Sequence, residues 1–267
     1  MNRFKTRRIV VKVGTSTLTY ENGKVNLKRL EQLCKVLSDL HNSGKQIILV
    51  SSGAIGVGVG KLKLKERPSE TRYKQAIAAV GQCELMFLYD KFFGEYNNSV
   101  AQLLLTKNVV INEHSRQNVM NTFQTLLEMG IIPIVNENDT VAIDEIVGAN
   151  FGDNDNLSAI VADLVGADML IILTDIDGLY NKDPRKEPDA EKIPYVTHID
   201  DRIREMAGGS GSNRGTGGMA TKIVAAAAAN EAGINCCVMS GKDPANLYRL
   251  IDGEQQGTMF LAAEGKI

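Results

Sequence analysis

A lysine near the end of an apolar run is the first residue in this sequence that could do chemistry. Lys12 lies in the run Ile9–Val13 and is followed by Gly14, Thr15 and Ser16. A lysine in a buried strand is costly unless its ammonium group meets an anion. Gly14 would allow close approach to the backbone, and the two hydroxyls could donate hydrogen bonds. The pattern predicts a phosphate site, although Lys12 could instead extend into solvent.

A glycine-rich segment forms the second candidate site. It runs from Ser210 to Lys222 and leads into the alanine-rich helical pattern Ile223–Ala232. Free N–H groups and the positive end of the helix dipole would face a phosphate beside Lys222. The segment could also be only a mobile surface loop. Phosphate binding and mobility together would suit a lid over a nucleotide. The sequence contains no G-x-x-x-x-G-K motif, and no G-x-G-x-x-G motif follows a strand.

Small polar residues also follow four predicted strands. In a parallel sheet, ligands bind outside the carboxyl ends of the strands, so these residues are expected to share one site. Each segment alone would be typical of a turn. The four segments are Gly14-Thr15-Ser16, Ser51-Ser52-Gly53-Ala54, Asn136-Glu137-Asn138-Asp139 and Thr174-Asp175.

A fifth polar segment, Gly152-Asp153-Asn154-Asp155-Asn156, precedes a helical pattern. Taken alone, it is typical of an Asx-turn that caps a helix. No EF-hand spacing follows it, so the sequence does not predict a dedicated calcium site.

The elements that must position these residues alternate between short β-branched runs and longer helical patterns. Glycines at 44, 130, 166 and 233 follow four helical patterns at the position where left-handed backbone is common. This alternation predicts an α/β fold with a mainly parallel sheet covered on both faces. The predicted strands are Ile9–Val13, Ile47–Val50, Val100–Leu105, Ile131–Val135, Leu170–Leu173 and Ile234–Met239. The predicted helices are Leu27–Ser43, Ser69–Tyr96, Ser115–Met129, Asn156–Val165 and Met219–Ala232.

Composition excludes several classes of protein. The 267 residues carry 30 basic and 32 acidic side chains, so the formal charge of −2 does not favour nucleic acid or a membrane surface as partner. The apolar stretch after the basic N-terminus is too short for a signal peptide, and no run is long enough for a membrane span. Four cysteines without metal-ligand spacing indicate buried thiols in a reducing compartment, so we expect a cytoplasmic protein.

From about Arg8 to Phe260 the chain resembles the glutamate kinases of the amino acid kinase superfamily. Aspartokinases have a Lys-Phe-Gly-Gly first motif and uridylate kinases a Lys-Leu-Ser-Gly one, whereas Lys12-Val-Gly-Thr-Ser resembles the glutamate kinase form. The other motifs follow in the family's order: Ser52-Gly-Ala-Ile, Asn136-Glu-Asn-Asp139, Gly152-Asp-Asn-Asp-Asn-Leu-Ser-Ala, Thr174-Asp175, Tyr180 with Asp183-Pro184, and Thr216-Gly-Gly-Met-Ala-Thr-Lys222. Many members continue into a C-terminal PUA domain, and because this sequence stops at Ile267 we expect the protein to function without one.

The resemblance implies one αβα domain over residues 1–267, with the glutamate site mainly in the N-terminal part and the nucleotide site mainly from about residue 165. It implies phosphorylation of the γ-carboxylate of L-glutamate by ATP, with Mg²⁺ on the ATP phosphates and no protein metal site. Lys12, Asp155 and Lys222 would be catalytic. Glutamate would contact Ser52, Gly53, Asn136, Asp139 and Asn154. The nucleotide would contact Lys12, Gly14, Thr15, Ser16, Thr174, Asp175, Tyr180, Asp183, Thr216, Gly217, Gly218, Met219, Ala220, Thr221 and Lys222.

The resemblance also implies partners and leaves alternatives. Proline is the expected feedback inhibitor, the reductase that consumes γ-glutamyl phosphate is a further partner, and the chain is expected to form a homo-oligomer. One alternative is a related kinase acting on N-acetylglutamate or aspartate. The other is a non-catalytic sensor that has kept the fold and lost turnover.

Overall fold

A computed structural model of the chain describes residues 6–20, 23–141, 154–207 and 218–263. Within them, eight strands form one sheet in the order β3-β4-β2-β1-β5-β9-β10-β8, and a separate antiparallel pair is formed by β6 and β7. The neighbours in the large sheet are parallel except β9 and β10. The strands are β1 Arg8–Val13, β2 Gln46–Ser51, β3 Val100–Leu105, β4 Ile132–Glu137, β5 Met169–Thr174, β6 Leu179–Tyr180, β7 Lys192–Ile193, β8 Tyr195–Val196, β9 Asn235–Ser240 and β10 Thr258–Phe260.

Helices cover both faces of this sheet. The described helices are α1 Thr15–Leu18, α2 Leu27–Asn42, α3 Ala54–Lys61, α4 Thr71–Gly94, α5 Lys107–Ile111, α6 Glu113–Glu128, α7 Asn154–Leu164, α8 Asp201–Ala207, α9 Met219–Glu231 and α10 Asn246–Ile251.

The core has two layers because side chains alternate between the faces of each strand. In β1, Ile9, Val11 and Val13 pack with α2, α3, α4 and α10, whereas Val10 packs with α6, α7 and α9. By this alternation Lys12 lies on the same face as Val10. The strand period therefore directs the ammonium group towards the layer that contains α7 and α9.

The predicted αβα architecture is confirmed. Each predicted strand and helix is present with ends that differ by at most two residues. Glycines 44, 130, 166 and 233 all have positive φ, between 58° and 94°, which confirms them as helix-terminating residues.

Helix α3 was not predicted because Gly56, Gly58 and Gly60 make its intrinsic helix propensity poor. Close packing of α3 against α4 compensates for this poor propensity. A Cβ atom on Gly58 would overlap the carbonyl oxygen of Ile77, and one on Gly81 would overlap that of Ala54. The absence of side chains thus lets the two helix backbones touch.

Strand β1 lies between β2 and β5, so successive crossovers lead away from it in both directions. Open α/β sheets bind ligands in the crevice at such a switch point, outside the carboxyl ends of the strands. The fold therefore brings the predicted polar segments to one edge of the sheet.

Two further findings concern composition. Cys34, Cys236 and Cys237 are buried as expected, but the prediction of a buried thiol is wrong for Cys83, which is exposed on α4. Among the helices of the described residues, none combines the length and the apolar character needed to cross a membrane.

Candidate active site

Two lysines from distant parts of the chain meet at one carboxylate. Lys12 Nζ lies 2.6 Å from Asp155 Oδ1, and Lys222 Nζ lies 3.0 Å from Asp155 Oδ2. The side chains are almost fully withdrawn from water, with Asp155 0%, Lys12 5% and Lys222 6% exposed. Such a buried group of two ammonium groups around one carboxylate suits a site for an anionic ligand.

Asp155 remains ionised in this environment. Burial alone would raise its pKa, but the charges and hydrogen bonds of Lys12 and Lys222 outweigh burial and lower the pKa to about 2. A group with so low a pKa holds almost no protons near neutral pH, so it is poorly suited to act as a general base. It is well suited to hold two cations side by side.

The polar segment before α7 differs from the sequence-based interpretation. The helix was expected to begin at Asn156, after a capping turn, but it begins at Asn154. Asn154 and Asp155 therefore lie in its first turn. Asn154 Oδ1 is buried and has no hydrogen-bond partner among the residues that the structure describes. A buried acceptor of this kind favours a ligand with N–H groups.

The start of α9 lies against the same triad. Its N-cap Gly218 has no side-chain cap, so N–H groups of the first turn at Met219 and Ala220 are available to a ligand. The Thr221 hydroxyl lies 2.9 Å from both Asp155 Oδ2 and the carbonyl oxygen of Gly218. Thr216 and Gly217 lie outside the described residues, as do Gly152 and Asp153.

The segments after β1 and β2 contact each other. The N–H of Ser52 donates to the carbonyl oxygen of Val13. Gly53 has φ +100°, a conformation that glycine adopts cheaply, and a Cβ atom on it would contact Thr15. A Cβ atom on Gly14 would lie 3.6 Å from Lys12 Nζ, so Gly14 borders the head of that lysine. Ser16 follows, half-buried, in α1.

Asn136 is held in place at the end of β4. Its Nδ2 donates to Gln82 Oε1 at 2.8 Å, and its Oδ1 accepts from the N–H of Glu137 at 2.9 Å. Asp139, buried as well, follows three residues later. Gln82, which the sequence analysis missed, lies in the middle of α4, where no local sequence signal distinguishes it.

A cavity of about 380 Å³ is lined by Gln82 and by the residues that follow Asn136. Its wall combines α4 with the strand ends, and the polar lining residues include Gln82, Gln102, Asn138 and Asp139. Asp139 therefore lines a space large enough for a small amino acid.

The residues predicted to bind the nucleotide extend along β5 and the β6–β7 pair. Thr174 Oγ1 donates to Asp175 Oδ1 at 3.1 Å. The other carboxylate oxygen of Asp175, Oδ2, lies 3.8 Å from the guanidinium group of Arg185. Arg185 is a residue that the sequence analysis missed. The Tyr180 hydroxyl donates to Asp177 at 2.8 Å. Asp183 accepts from the backbone N–H of Arg185, so its carboxylate stabilises a turn.

These contacts identify a class of protein. A buried lysine–aspartate–lysine triad lies at the switch point of an αβα sheet, next to the N-terminus of a helix. The sequence profile described as the amino acid kinase family matches residues 7–240. The chain belongs to the amino acid kinase family.

Its curated relatives include several proteins named glutamate 5-kinase. The one from Clostridium perfringens (strain 13 / Type A) is 60% identical over 261 residues, which cover 97% of each chain. The one from Listeria innocua serovar 6a is 54% identical and covers 95% of this chain and 92% of its own. The one from Streptococcus uberis is 49% identical, with 97% and 96% covered. With them, this chain belongs to the glutamate 5-kinase branch of the family, which confirms the resemblance found in the motifs.

Solved structures agree at the level of the fold. UMP kinase from Bacillus anthracis gives a TM-score of 0.66 at 15% identity, with 98% of both chains covered. An isopentenyl phosphate kinase gives 0.64 at 16% identity, with 95% of this chain and 99% of its own covered. At such low identity these likenesses concern the arrangement of the sheet and helices alone.

Proposed function

We propose that this protein phosphorylates the γ-carboxylate of L-glutamate with ATP, the first step of proline biosynthesis. A carboxylate oxygen bonds to the γ-phosphorus while the bond from that phosphorus to the β,γ-bridging oxygen breaks. The products are γ-glutamyl phosphate and ADP. Because a glutamate carboxyl group has a pKa of about 4.3, it is ionised at pH 7 and no proton needs to be removed. The names of the curated relatives support this assignment.

The triad of Lys12, Asp155 and Lys222 is the observation that carries the proposal. Phosphoryl transfer through a loose transition state needs alignment and positive charge near the equatorial oxygens. The two ammonium groups, within 2.6 Å and 3.0 Å of one carboxylate, would supply that charge. Asp155 would act as an organiser that lowers the cost of gathering like charges and fixes both lysine heads.

The acceptor would bind along the ends of β2 and β4 and the start of α7. Asp139 would pair with the α-ammonium group, because a buried carboxylate favours a cation. Asn154 would accept a hydrogen bond through its buried Oδ1. Ser52, Gly53 and Asn136 would complete the site. This set favours glutamate over N-acetylglutamate, which has no free ammonium group.

The nucleotide would occupy the other side of the triad, with its phosphates over Gly14, Thr15, Ser16 and the start of α9. The base and ribose would contact the region of Thr174, Asp175, Tyr180 and Asp183, together with the Thr216–Lys222 segment. Mg²⁺ would arrive with the substrate as MgATP and neutralise charge on the phosphates. Within one domain, the acceptor site would then lie mainly in the N-terminal part and the nucleotide site mainly in the part from about residue 165.

Partners follow from the same reaction. Proline has the α-amino and α-carboxylate groups of glutamate and would compete for the acceptor site as a feedback inhibitor, with the segment Thr106–Asn121 shaping the effect. A reductase would consume the acyl phosphate. We further propose a homo-oligomer in the cytoplasm, where ATP and glutamate are available.

Trapping of the product tests the proposal. The protein is incubated with MgATP, hydroxylamine and one acid: L-glutamate, N-acetyl-L-glutamate or L-aspartate. Hydroxylamine converts an acyl phosphate to a hydroxamate, which mass spectrometry identifies, and ADP release gives the rate. We expect γ-glutamyl hydroxamate with L-glutamate and far lower rates with the other acids. A preference for another acid would identify a related kinase, and binding of ATP and glutamate without turnover would identify a sensor.

A further inference from the structure

Helix α4 connects the two strand ends at which the acceptor would bind. We propose that Gln82 and Tyr89 of α4 are positioning residues of the acceptor site, acting through Asn136 and Ser51. The inference rests on the proposed function, which places the acceptor against these strand ends.

Gln82 orients the carboxamide of Asn136. Because Gln82 Oε1 accepts from Asn136 Nδ2 while the N–H of Glu137 donates to Asn136 Oδ1, the amide is held at both ends and cannot flip without losing both bonds. Asn136 is buried. An Nδ2 group has two hydrogens, and among the described residues only Gln82 accepts one of them. The second remains for an acceptor such as a substrate carboxylate or carbonyl group.

Tyr89 acts on the neighbouring strand in the same way. Its hydroxyl lies 2.7 Å from Ser51 Oγ, and both side chains are buried. Burial raises the pKa of Tyr89 above its ordinary value, so the phenol keeps its proton. Ser51 is the last residue of β2 and directly precedes Ser52 and Gly53. The hydrogen bond between Tyr89 and Ser51 therefore fixes the point at which Ser52 and Gly53 leave the sheet.

Gln82 and Tyr89 lie on one face of α4. Seven residues are close to two turns of an α-helix, so both side chains extend from one face of α4, about 10 Å apart along its axis. Strands β2 and β4, which they contact, are parallel neighbours in the sheet. A single rigid helix thus sets the relative position of two loops that lie far apart in sequence.

Helix α4 is itself firmly placed. At Gly81, next to Gln82, its backbone touches α3, and α3 begins directly after Gly53. A shift of α4 would therefore move Gly53 as well. The hydrogen bonds of Gln82 and Tyr89 and the contact between α4 and α3 therefore connect α4 to the residues that follow β2 and β4.

Substitutions that remove only the polar groups test the inference. Gln82→Met keeps the length of the side chain, and Tyr89→Phe removes one hydroxyl. For each variant we expect KM for glutamate to rise about tenfold, the effect of one lost buried hydrogen bond. KM for MgATP should stay within about twofold, because these contacts lie on the acceptor side.

Matched controls apply the same chemical changes elsewhere. Gln124→Met removes an exposed hydrogen bond to Glu128 on α6, and Tyr248→Phe removes a hydroxyl that interacts with Asp39. Both controls should leave KM for glutamate unchanged. Melting temperatures of all four variants, with and without glutamate, show whether the fold and binding are affected separately.

The outcomes separate the two proposals. A wild-type protein that forms no γ-glutamyl hydroxamate refutes the proposed function. If the wild type is active and Gln82→Met leaves KM for glutamate within twofold, the positioning role is refuted. Equal rises in both KM values together with a lower melting temperature would indicate a purely structural role and also refute it. A selective rise in KM for glutamate, with a smaller glutamate-induced gain in melting temperature, supports it.

Discussion

Asp155→Asn is the substitution that best tests how the triad works. It keeps the size of the side chain but removes the negative charge between Lys12 and Lys222. Both lysines are buried, so neither can move its charge into water without rearrangement. We expect the ammonium groups to separate and to lose their alignment on the transferring phosphoryl group.

The magnitude follows from the ionisation of Asp155. Its pKa lies at about 2, below its ordinary value of 3.8, so its surroundings favour the ionised form by on the order of 2 kcal/mol. Removing one partner of a buried ion pair costs about 3–5 kcal/mol. If the transition state loses about 2–4 kcal/mol of stabilisation, kcat falls about 30-fold to 1000-fold.

A double-mutant cycle provides the assay. kcat is measured at saturating glutamate and MgATP for the wild type, Asp155→Asn, Lys222→Ala and the double variant. Lys222→Ala should cost less in the Asp155→Asn background than alone, because the charges act as one unit. Asp163→Asn is the matched control, since Asp163 lies exposed on the same helix and its substitution should leave kcat within about twofold.

The pH dependence of kcat provides a second test of the role of Asp155. Because the folded-state pKa of Asp155 is depressed, its contribution to stability is present above about pH 4 and is lost as the pH falls towards 2. The acid limb of kcat should therefore lie well below pH 6, measured with saturating MgATP so that phosphate protonation does not interfere. Independent, additive effects of the two substitutions would refute the organiser role. So would a protein group of pKa 6–7 that controls kcat and disappears in Asp155→Asn.

Three further predictions concern the acceptor site and the fold. Asp139→Ala should raise KM for glutamate at least about 30-fold and leave KM for MgATP little changed, because an unpaired ammonium group costs about 2–5 kcal/mol; an unchanged glutamate KM would remove Asp139 from the site. Proline should raise the apparent KM for glutamate without lowering kcat, and inhibition that glutamate cannot relieve would indicate a separate site. Gly81→Ala should lower the free energy of unfolding by several kcal/mol, because its methyl group would overlap α3. Gly94→Ala in the same helix, with open space around it, should be neutral or stabilising by up to about 1 kcal/mol; equal effects of the two would contradict this account of α3 packing.

Much of the architecture could be predicted because its signals are local. Short β-branched runs, helical periodicity and C-terminal glycines such as Gly44 depend on neighbouring residues. Strand β10 has only three residues and therefore too little pattern to be recognised. The short helices α8 and α10 were missed for the same reason. Exposure of Cys83 could not be predicted either, because it depends on which face of α4 meets the rest of the protein.

By itself, the sequence determined the order of strands and helices and brought polar segments to the carboxyl ends of β1, β2, β4 and β5. It also identified Lys12, Asp155 and Lys222 as candidates through family motifs. Only the tertiary structure decided that their three charged groups meet, that Asp155 lies in the first turn of a helix, and that Gln82 holds Asn136. The physical reason is that strand periodicity and helix termination are properties of adjacent residues. The distance between two side chains remote in sequence depends on sheet order, strand register and the contact of α4 with α3, which no local pattern encodes.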